Sequence, residues 1–150
     1  MKPISVVMSV YDEPLDWLKQ SVESILGQTH KDFEFLIVKD NPRRSDIADL
    51  LDEYGERESR IRIIANEENI GLTKSLNKAV KASQGMYIAR MDADDIALPE
   101  RLALQYEFLE KNPDIFLAGG SVEIIDESGS VRHRAIKNTE PEEIVRDMFR

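Results

Sequence analysis

Three aspartates within four residues, Asp92, Asp94 and Asp95, are the residues whose type and spacing best suit chemistry. Carboxylates this close repel one another, so the cluster needs solvent or a bound cation to offset the repulsion. Mg²⁺ and Mn²⁺ take one or two protein carboxylates and complete their shells with phosphate oxygens and water. The cluster therefore predicts a divalent-cation site for a phosphorylated ligand; the alternative is a solvated turn, since aspartate is a common turn residue.

Further charged residues admit two interpretations each. Asp40 follows an apolar run and precedes a proline turn, so it either accepts hydrogen bonds from a base or a ribose, or caps a turn. Asp12 and Glu13 leave the same choice open, although Pro14 after them favours acids at a helix start. Lys74 lies in the first turns of a predicted helix, where it either meets a phosphate or is a surface residue.

The composition excludes several classes of protein. The 150 residues are 41% hydrophobic and 33% charged, as in an ordinary globular chain. A net charge of −9 argues against a nucleic-acid partner, and the lack of cysteine excludes a disulfide scaffold or a thiolate site. Glycine-rich nucleotide motifs and the nucleophile elbow of hydrolases are missing, so phosphate binding must rest largely on a metal. No segment is long and apolar enough to span a bilayer.

Apolar strands alternate with amphipathic helices along the chain. Strands are predicted at Ile4–Val10, Phe33–Lys39, residues 61–64 and residues 86–91, with weaker candidates at residues 115–118 and Val122–Ile125. Helices are predicted from Leu15 to Gly27, from Ile47 to Gly55, from Leu72 to about Gly85, from Pro99 to Asn112 and over residues 140–149. The alternation predicts an α/β fold: a Rossmann-like three-layer α/β/α sandwich with a mainly parallel sheet, in one domain over residues 1–150.

In such a sheet, ligands bind at the carboxyl ends of the strands, near the point where the strand order reverses. Residues 9–13, 39–46 and 92–95 each follow a predicted strand, and each segment contains carboxylates. Because the ends of parallel strands share one edge of the sheet, we expect these segments to meet there. This placement favours a binding site over an isolated turn.

Several segments follow one another in a distinctive order. They are ISVVMSVY (residues 4–11), SILGQT (24–29), DFE (32–34), NIGLTKSLN (69–77), GMYIARMDADD (85–95) and PERL (99–102). In this spacing they resemble the inverting, nucleotide-sugar-dependent glycosyltransferases of the GT-A fold (family 2 type), over a stretch from Pro3 to about Asp126. The resemblance implies transfer of a sugar from a nucleoside-diphosphate sugar, with a UDP-sugar expected, to a saccharide or lipid-linked acceptor in cell-surface polysaccharide or glycoconjugate synthesis. It implies a cytoplasmic protein, or one held peripherally at the inner face of the cell membrane.

The resemblance also assigns roles to individual residues. The implied donor-binding residues are Ser9, Tyr11, Asp12, Asp40, Lys74, Asp92 and Asp94. Tyr11 and Asp40 fall where the family contacts the nucleotide base. Asp92 and Asp94 occupy the metal and ribose positions of the Asp-x-Asp motif, with Asp94 the expected direct ligand of Mn²⁺ or Mg²⁺. Asp95 is expected to support them by hydrogen bonding.

The chain also departs from the family pattern. Lys39 stands where the family often has a second aspartate beside Asp40, and Leu76 stands where an arginine is common. Lys74 or Arg101 would then be the cation directed at the phosphates. No residue after 115 matches the family's general base, so no catalytic residue is identified. We expect the chain to be the donor-binding part, truncated before the acceptor-binding half.

Two alternative functions stay open at this level. One is a non-catalytic module that binds a nucleotide sugar without turnover, which the missing base favours. The other is a metal-dependent nucleotidyltransferase, which shares acidic strand ends, although the glycine- and lysine-rich loop expected after its first strand is absent.

Overall fold

The computed structural model describes residues 2–135. Its elements are β1 (Ile4–Val10), α1 (Leu15–Leu26), β2 (Phe33–Lys39), α2 (Ser45–Arg57), β3 (Ile61–Ala65), α3 (Leu72–Ala82), β4 (Tyr87–Arg90), α4 (Arg101–Lys111), β5 (Val122–Ile125) and β6 (Val131–Ala135). The chain divides into two compact units, Met1–Tyr106 and Glu107–Arg150. That residues 1–150 form one domain stays a prediction. None of the helices within residues 2–135 has the length and apolar character needed to cross a membrane.

The first unit is built on four parallel strands in the order β3-β2-β1-β4. The chain moves outward from β1 to β3 and then returns to the other side of β1 as β4. The strand order therefore reverses between β1 and β4, which is where an open α/β sheet forms its ligand crevice. The predicted parallel sheet is confirmed.

Side chains of β1 alternate between two apolar layers, as a strand buried on both faces requires. One layer contains Ile4, Val6, Met8 and Val10 together with buried residues of α1, α2 and the start of α4. The other contains Val7 with Leu36, Val38 and residues of α3. The sheet thus lies between helices on both faces, and the three-layer α/β/α sandwich is confirmed.

Two predicted helix ends differ from the structure. Helix α2 continues past Gly55 to Arg57, because a glycine within a helix costs only about 1 kcal/mol and Arg57 pairs with Glu53 and Glu23. Helix α3 ends at Ala82. Gly85 lies against β1 instead, where its amide donates to Ser5 Oγ over 2.8 Å.

The second unit contains an antiparallel hairpin of β5 and β6. Strand β5 was predicted, but the prediction of a strand at residues 115–118 is wrong: those residues form no regular element. Strand β6 was not predicted because three of its five residues are Arg or His, which hide the apolar alternation of a strand. The predicted helix at residues 140–149 lies outside the described residues.

Gly85 provides a test of the packing against β1. A Cβ at this position would lie 2.5 Å from Ser5 N and 2.7 Å from Ile4 C, both backbone atoms of the central strand. We expect Gly85→Ala to lower the free energy of unfolding by about 3 kcal/mol in urea denaturation, because neither backbone atom can move without disturbing the sheet.

The control is Gly55→Ala, whose Cβ would meet only Ile63 Cγ1 at an ordinary 3.7 Å. Since this glycine is helical, alanine should raise the free energy of unfolding by about 0.5–1 kcal/mol. Equal stability of the two variants would contradict the close approach of Gly85 to β1.

Candidate functional site at the carboxyl edge of the sheet

The carboxyl ends of β1, β2 and β3 lie in register at one edge of the sheet. Val10 is opposite Lys39, and Lys39 is opposite Ala65. Strand β4 ends at Arg90, opposite Val7, and the next amide, Met91 N, still donates to Val7 O over 3.0 Å. The segments after β1, β2 and β4 therefore lie at one edge, with the segments after β1 and β4 on either side of the reversal point.

Asp40, at the end of β2, is 1% exposed and holds the segment after β3. Its Oδ1 accepts hydrogen bonds from Asn66 Nδ2 at 2.8 Å and from Ile70 N at 2.9 Å. Its Oδ2 accepts from Gly71 N at 2.8 Å. The Ser75 side chain also hydrogen-bonds to this carboxylate, so its roughly four acceptor positions are used within the protein.

The charge of Asp40 lies next to the amino end of α3, since Gly71 directly precedes that helix. Burial by itself would raise the pKa of Asp40, but the hydrogen bonds from Ile70, Asn66 and Gly71 outweigh it and lower the pKa. Asp40 is therefore ionised at neutral pH and caps the residues that lead into α3.

Asn66 is a site residue that the sequence analysis missed. It is buried directly after β3, where its Nδ2 also donates to Ser75 Oγ over 3.0 Å and its Oδ1 accepts from Lys78 Nζ at 2.7 Å. The rule that pointed to the acidic strand ends applies to this strand end too. Asn66 was not predicted because the prediction relied on charged residues, and asparagine has no charge.

Asp12, after β1, is held by an arginine that follows β2. Arg44 donates to Asp12 from Nη1 and, through Nε and Nη2, to both carboxylate oxygens of Asp46. These contacts raise the pKa of Arg44 and lower the pKa of Asp46 to about 2. Arg44 thus ties the loop after β1 to the start of α2, a link that the sequence analysis missed because Arg44 and Asp12 are 32 positions apart.

The remaining predicted donor-binding residues differ in exposure. Ser9 is nearly buried in β1, whereas Tyr11 is half-exposed just beyond it. The Tyr11 amide donates to Glu13 Oε2 over 2.8 Å, so Glu13 stabilises the turn after β1. Lys74 is exposed in the first turn of α3.

The aspartate loop, residues 91–100, joins β4 to α4. Asp92 is bound by Arg90, whose Nε and Nη2 donate to its carboxylate oxygens over 2.8 to 3.1 Å. Asp94 is exposed and, among residues 2–135, its carboxylate has no hydrogen-bond or ion-pair partner. Although Asp95 has much exposed surface, burial of its carboxyl group and the negative charges of Asp92 and Asp94 raise its pKa. The like-charge repulsion expected from the sequence is present.

Arg101 supports the loop from its far end. Its Nη2 donates to Arg90 O over 2.7 Å, and its Nη1 contacts the sulfur of Met91 at 3.2 Å. Burial lowers the pKa of Arg101, while the charges of Asp95 and Asp92 counteract that effect. The guanidinium is therefore directed at the end of β4 and neutralises part of the acidic cluster.

The chemistry of these side chains fits a divalent cation that is completed by its ligand. Across residues 2–135, no three Asp, Glu, His or Cys side chains converge into a ready-made metal cage. Asp94 offers free carboxylate oxygens, and Asp92 lies two residues before it. One or two carboxylates of this kind, with phosphate oxygens and water filling the other positions, are the usual environment of Mg²⁺ and its relatives.

Comparison with known proteins identifies the family. Residues 5–148 match the sequence profile described as glycosyl transferase family 2. The chain belongs to this family. It is 48% identical over 139 residues, 93% of its length, to an uncharacterised glycosyltransferase of Methanocaldococcus jannaschii, of which it covers 47%. It is 40% identical over 129 residues, 84% of its length, to the O-antigen biosynthesis glycosyltransferase WbnJ of Escherichia coli, of which it covers 48%. The chain thus spans about half the length of these two curated relatives.

Solved glycosyltransferases share the fold. S. aureus TarS 1-349 in complex with UDP-GlcNAc matches with a TM-score of 0.67 and 21% identity, over 74% of this chain and 32% of that one. The mannosyltransferase PcManGT of Pyrobaculum calidifontis, in complex with GDP-Man and Mn²⁺, matches with a TM-score of 0.66 and 18% identity, over 83% of this chain and 35% of that one. Because the sequence identities are below 25%, these matches show the fold alone. The predicted GT-A fold is confirmed.

The hydrogen bonds of Asp40 predict a defined acid sensitivity. In Asp40→Asn, one carboxylate oxygen becomes an NH₂ group that faces a backbone N–H, so we expect the free energy of unfolding at pH 7 to fall by about 2 kcal/mol. Since the pKa of Asp40 is lowered in the folded state, its contribution is complete above its unfolded pKa of about 3.9 and is lost as the pH falls through the folded value. The stability difference between wild type and variant should therefore shrink as the pH falls from about 5 to 3.

The measurement is urea denaturation at each pH, with the exposed Asp52→Asn on α2 as the control of equal charge change. That control should stay within about 0.5 kcal/mol of wild type at neutral pH. If the difference in the free energy of unfolding between wild type and Asp40→Asn were the same at every pH, these hydrogen bonds would not lower the pKa of Asp40 in the folded state.

Proposed function

We propose that this chain is the donor-binding part of a glycosyltransferase that moves a sugar from a nucleoside-diphosphate sugar to an acceptor hydroxyl. The observation that carries the proposal is the exposed, unpartnered Asp94, which stands beside Asp92 in the loop next to the strand-order reversal. Three other aspartates that follow strands of the sheet each have a partner: Arg44 for Asp12, backbone amides for Asp40 and Arg90 for Asp92. Asp94 and Asp95 are left without such a partner among residues 2–135, and burial affects the carboxyl group of Asp95, so Asp94 is the carboxylate we propose for the ligand.

Electrostatics support a metal-dependent donor complex. The chain has a net charge of −9, and the aspartate loop adds a local negative field. A diphosphate would be repelled from this edge unless a cation lay between the two anions. Asp94, with Asp92 beside it, would hold Mn²⁺ or Mg²⁺. When bound, that ion supplies Lewis-acid stabilisation of the charge on the leaving diphosphate.

The chain's own residues would then bind and orient the nucleotide. Tyr11 is half-exposed at the end of β1 and offers an aromatic surface to the base. Asp40 is enclosed, and it would shape the base site by holding Asn66, Ile70 and Gly71 in place. Ser9 near the end of β1 and Asp12 just after it would lie next to the nucleotide. Lys74, which is exposed in the first turn of α3, is the cation we propose for the phosphates, since Arg101 donates to Arg90 O.

A UDP-sugar is the donor we propose, and a saccharide or lipid-linked hydroxyl in surface-polysaccharide synthesis is the acceptor. The solved structure of S. aureus TarS 1-349 is a complex with UDP-GlcNAc, and the relatives include an O-antigen biosynthesis glycosyltransferase. In the transfer, the acceptor oxygen bonds to the anomeric carbon while the bond to the diphosphate breaks, and a general base takes the acceptor proton. No residue within 2–135 is assigned as that base. A cytoplasmic location at the membrane's inner face stays a prediction.

Removing Asp94 tests the proposal most directly. We expect Asp94→Ala to reduce the affinity for UDP in the presence of Mn²⁺ to the level found after chelation, because the ion loses its protein ligand. Titration calorimetry gives both values. The control is Glu100→Ala, which removes an equal charge from an exposed position on the same loop and should bind UDP and Mn²⁺ as wild type does. Unchanged affinity in Asp94→Ala would refute the metal role.

A thermal-shift panel tests which nucleotide is bound. UDP, GDP, ADP and CDP are each added with Mn²⁺ and with a chelator. A ligand at about 100 times its Kd stabilises the fold by about 2.7 kcal/mol. We expect the largest rise in Tm with UDP and its disappearance on chelation. An equal rise for all four nucleotides, or a rise that survives chelation, would argue against the proposed donor site.

A further inference from the structure

Helix α1 presents a row of polar side chains to the aspartate loop. Ser21 and Ser24 are one helical turn apart on α1, and Gln28 follows just past its end. Ser21 and Gln28 have no exposed surface, and Ser24 is half-buried. Buried polar side chains that do not form hydrogen bonds are costly, so their partners show what this face of the helix does.

These three residues, here called the α1 ladder, bind the loop from its beginning to its end. Ser21 Oγ donates to Asp92 O over 3.0 Å, and Ala97 N donates to Ser24 Oγ over 3.0 Å. Gln28 Nε2 donates to Leu98 O over 2.8 Å, and its Oε1 accepts from Leu102 N at 2.9 Å. The partners are 70 or more positions away in sequence.

The ladder leaves a short free stretch in the middle of the loop. Asp92 O is held by Ser21, and the next side-chain anchor is at Ala97 N. The intervening residues 93–96 contain both Asp94 and Asp95. Asp94 and Asp95 therefore lie on a backbone segment that is hydrogen-bonded at both ends to side chains of α1.

The hydrogen bonds at both ends of residues 93–96 keep the three aspartates close together although their charges repel one another. Asp92, Asp94 and Asp95 lie within four residues of one another, and like charges this close repel one another. A free loop would relieve the repulsion by spreading these carboxylates apart. A loop held by buried hydrogen bonds keeps them together before any cation arrives, which lowers the conformational cost of binding.

We propose that Ser21, Ser24 and Gln28 are positioning residues that hold the aspartate loop in the arrangement needed to bind a divalent cation with a nucleoside diphosphate. This inference rests on the proposed function, because it concerns the same cation site. It gives a role to the SILGQT segment, which had none in the sequence analysis.

The test compares two ladder variants, Ser21→Ala and Ser24→Ala, with a control variant, Ser5→Ala, whose serine is on β1. Ser5 is equally buried, its Oγ donates to Glu34 Oε1 over 2.6 Å and accepts from Gly85 N, and it lies at the opposite end of β1. Ser5→Ala should lose comparable stability without any contact to the loop. Ser24→Thr keeps the hydroxyl and serves as the rescue variant.

The first readout is calorimetric titration of the full chain with UDP and with GDP in the presence of Mn²⁺, at a temperature where circular dichroism shows every variant folded. Loss of one ladder bond should weaken binding by about tenfold, while Ser5→Ala and Ser24→Thr stay within about twofold of wild type. Wild-type affinity in both ladder variants, or equal weakening in Ser5→Ala, would overturn the inference.

The second readout is amide hydrogen exchange of residues 92–98 without nucleotide or metal. We expect exchange there to speed up by about tenfold in Ser21→Ala and Ser24→Ala and to stay unchanged in Ser5→Ala. If wild type binds neither UDP nor GDP, the proposed function is wrong. The rate of amide hydrogen exchange in residues 92–98 then still tests whether the α1 ladder holds the aspartate loop. Unchanged exchange in both ladder variants would then overturn the inference.

Discussion

Repulsion between carboxylates gathered at one edge of a parallel sheet is the constraint on which this site depends. Four strands that run the same way deliver the segments after them to one edge, and those segments contain aspartates after β1, β2 and β4. Each carboxylate must be neutralised, hydrogen-bonded or left to solvent, because unpaired like charges at short range are unfavourable. The arrangement of the loops follows from which interaction stabilises each negative charge.

The structure offsets most of these charges in two ways. Arg44 pairs with Asp12 and Arg90 with Asp92, so salt bridges offset two of them. Asp40 is buried among backbone amides at the start of α3, where hydrogen bonds and the helix dipole stabilise its charge. Asp94 is met by neither device. Asp95 has no side-chain hydrogen bond or ion pair among residues 2–135 either, and a site that leaves these two neighbouring carboxylates unpaired is prepared for a cation brought in with an anionic ligand.

Positioning of the free carboxylate is the task of residues outside the cluster itself. Arg101 binds the end of β4, and the α1 ladder binds the loop that follows. Hydrogen bonds that are buried and complete are worth more than exposed ones and fix one geometry. The same helix that packs Leu18, Val22 and Ile25 into the core therefore also holds the loop, so site geometry and core packing are coupled.

The sequence by itself determined the α/β alternation, the parallel sheet and the acidic strand ends, because hydrophobic periodicity and residue type are local properties. The strand predicted at residues 115–118 is wrong because its pattern is weak. Strand β6 was not predicted because its charged residues obscure the alternation typical of a strand. Only the tertiary structure decided that Asp40 is enclosed and Asp94 is free, and it alone revealed Asn66, Arg44 and the α1 ladder as contributors. These contacts join residues 26 to 74 positions apart, and no local pattern specifies which distant donors the folded sheet brings to each carboxylate.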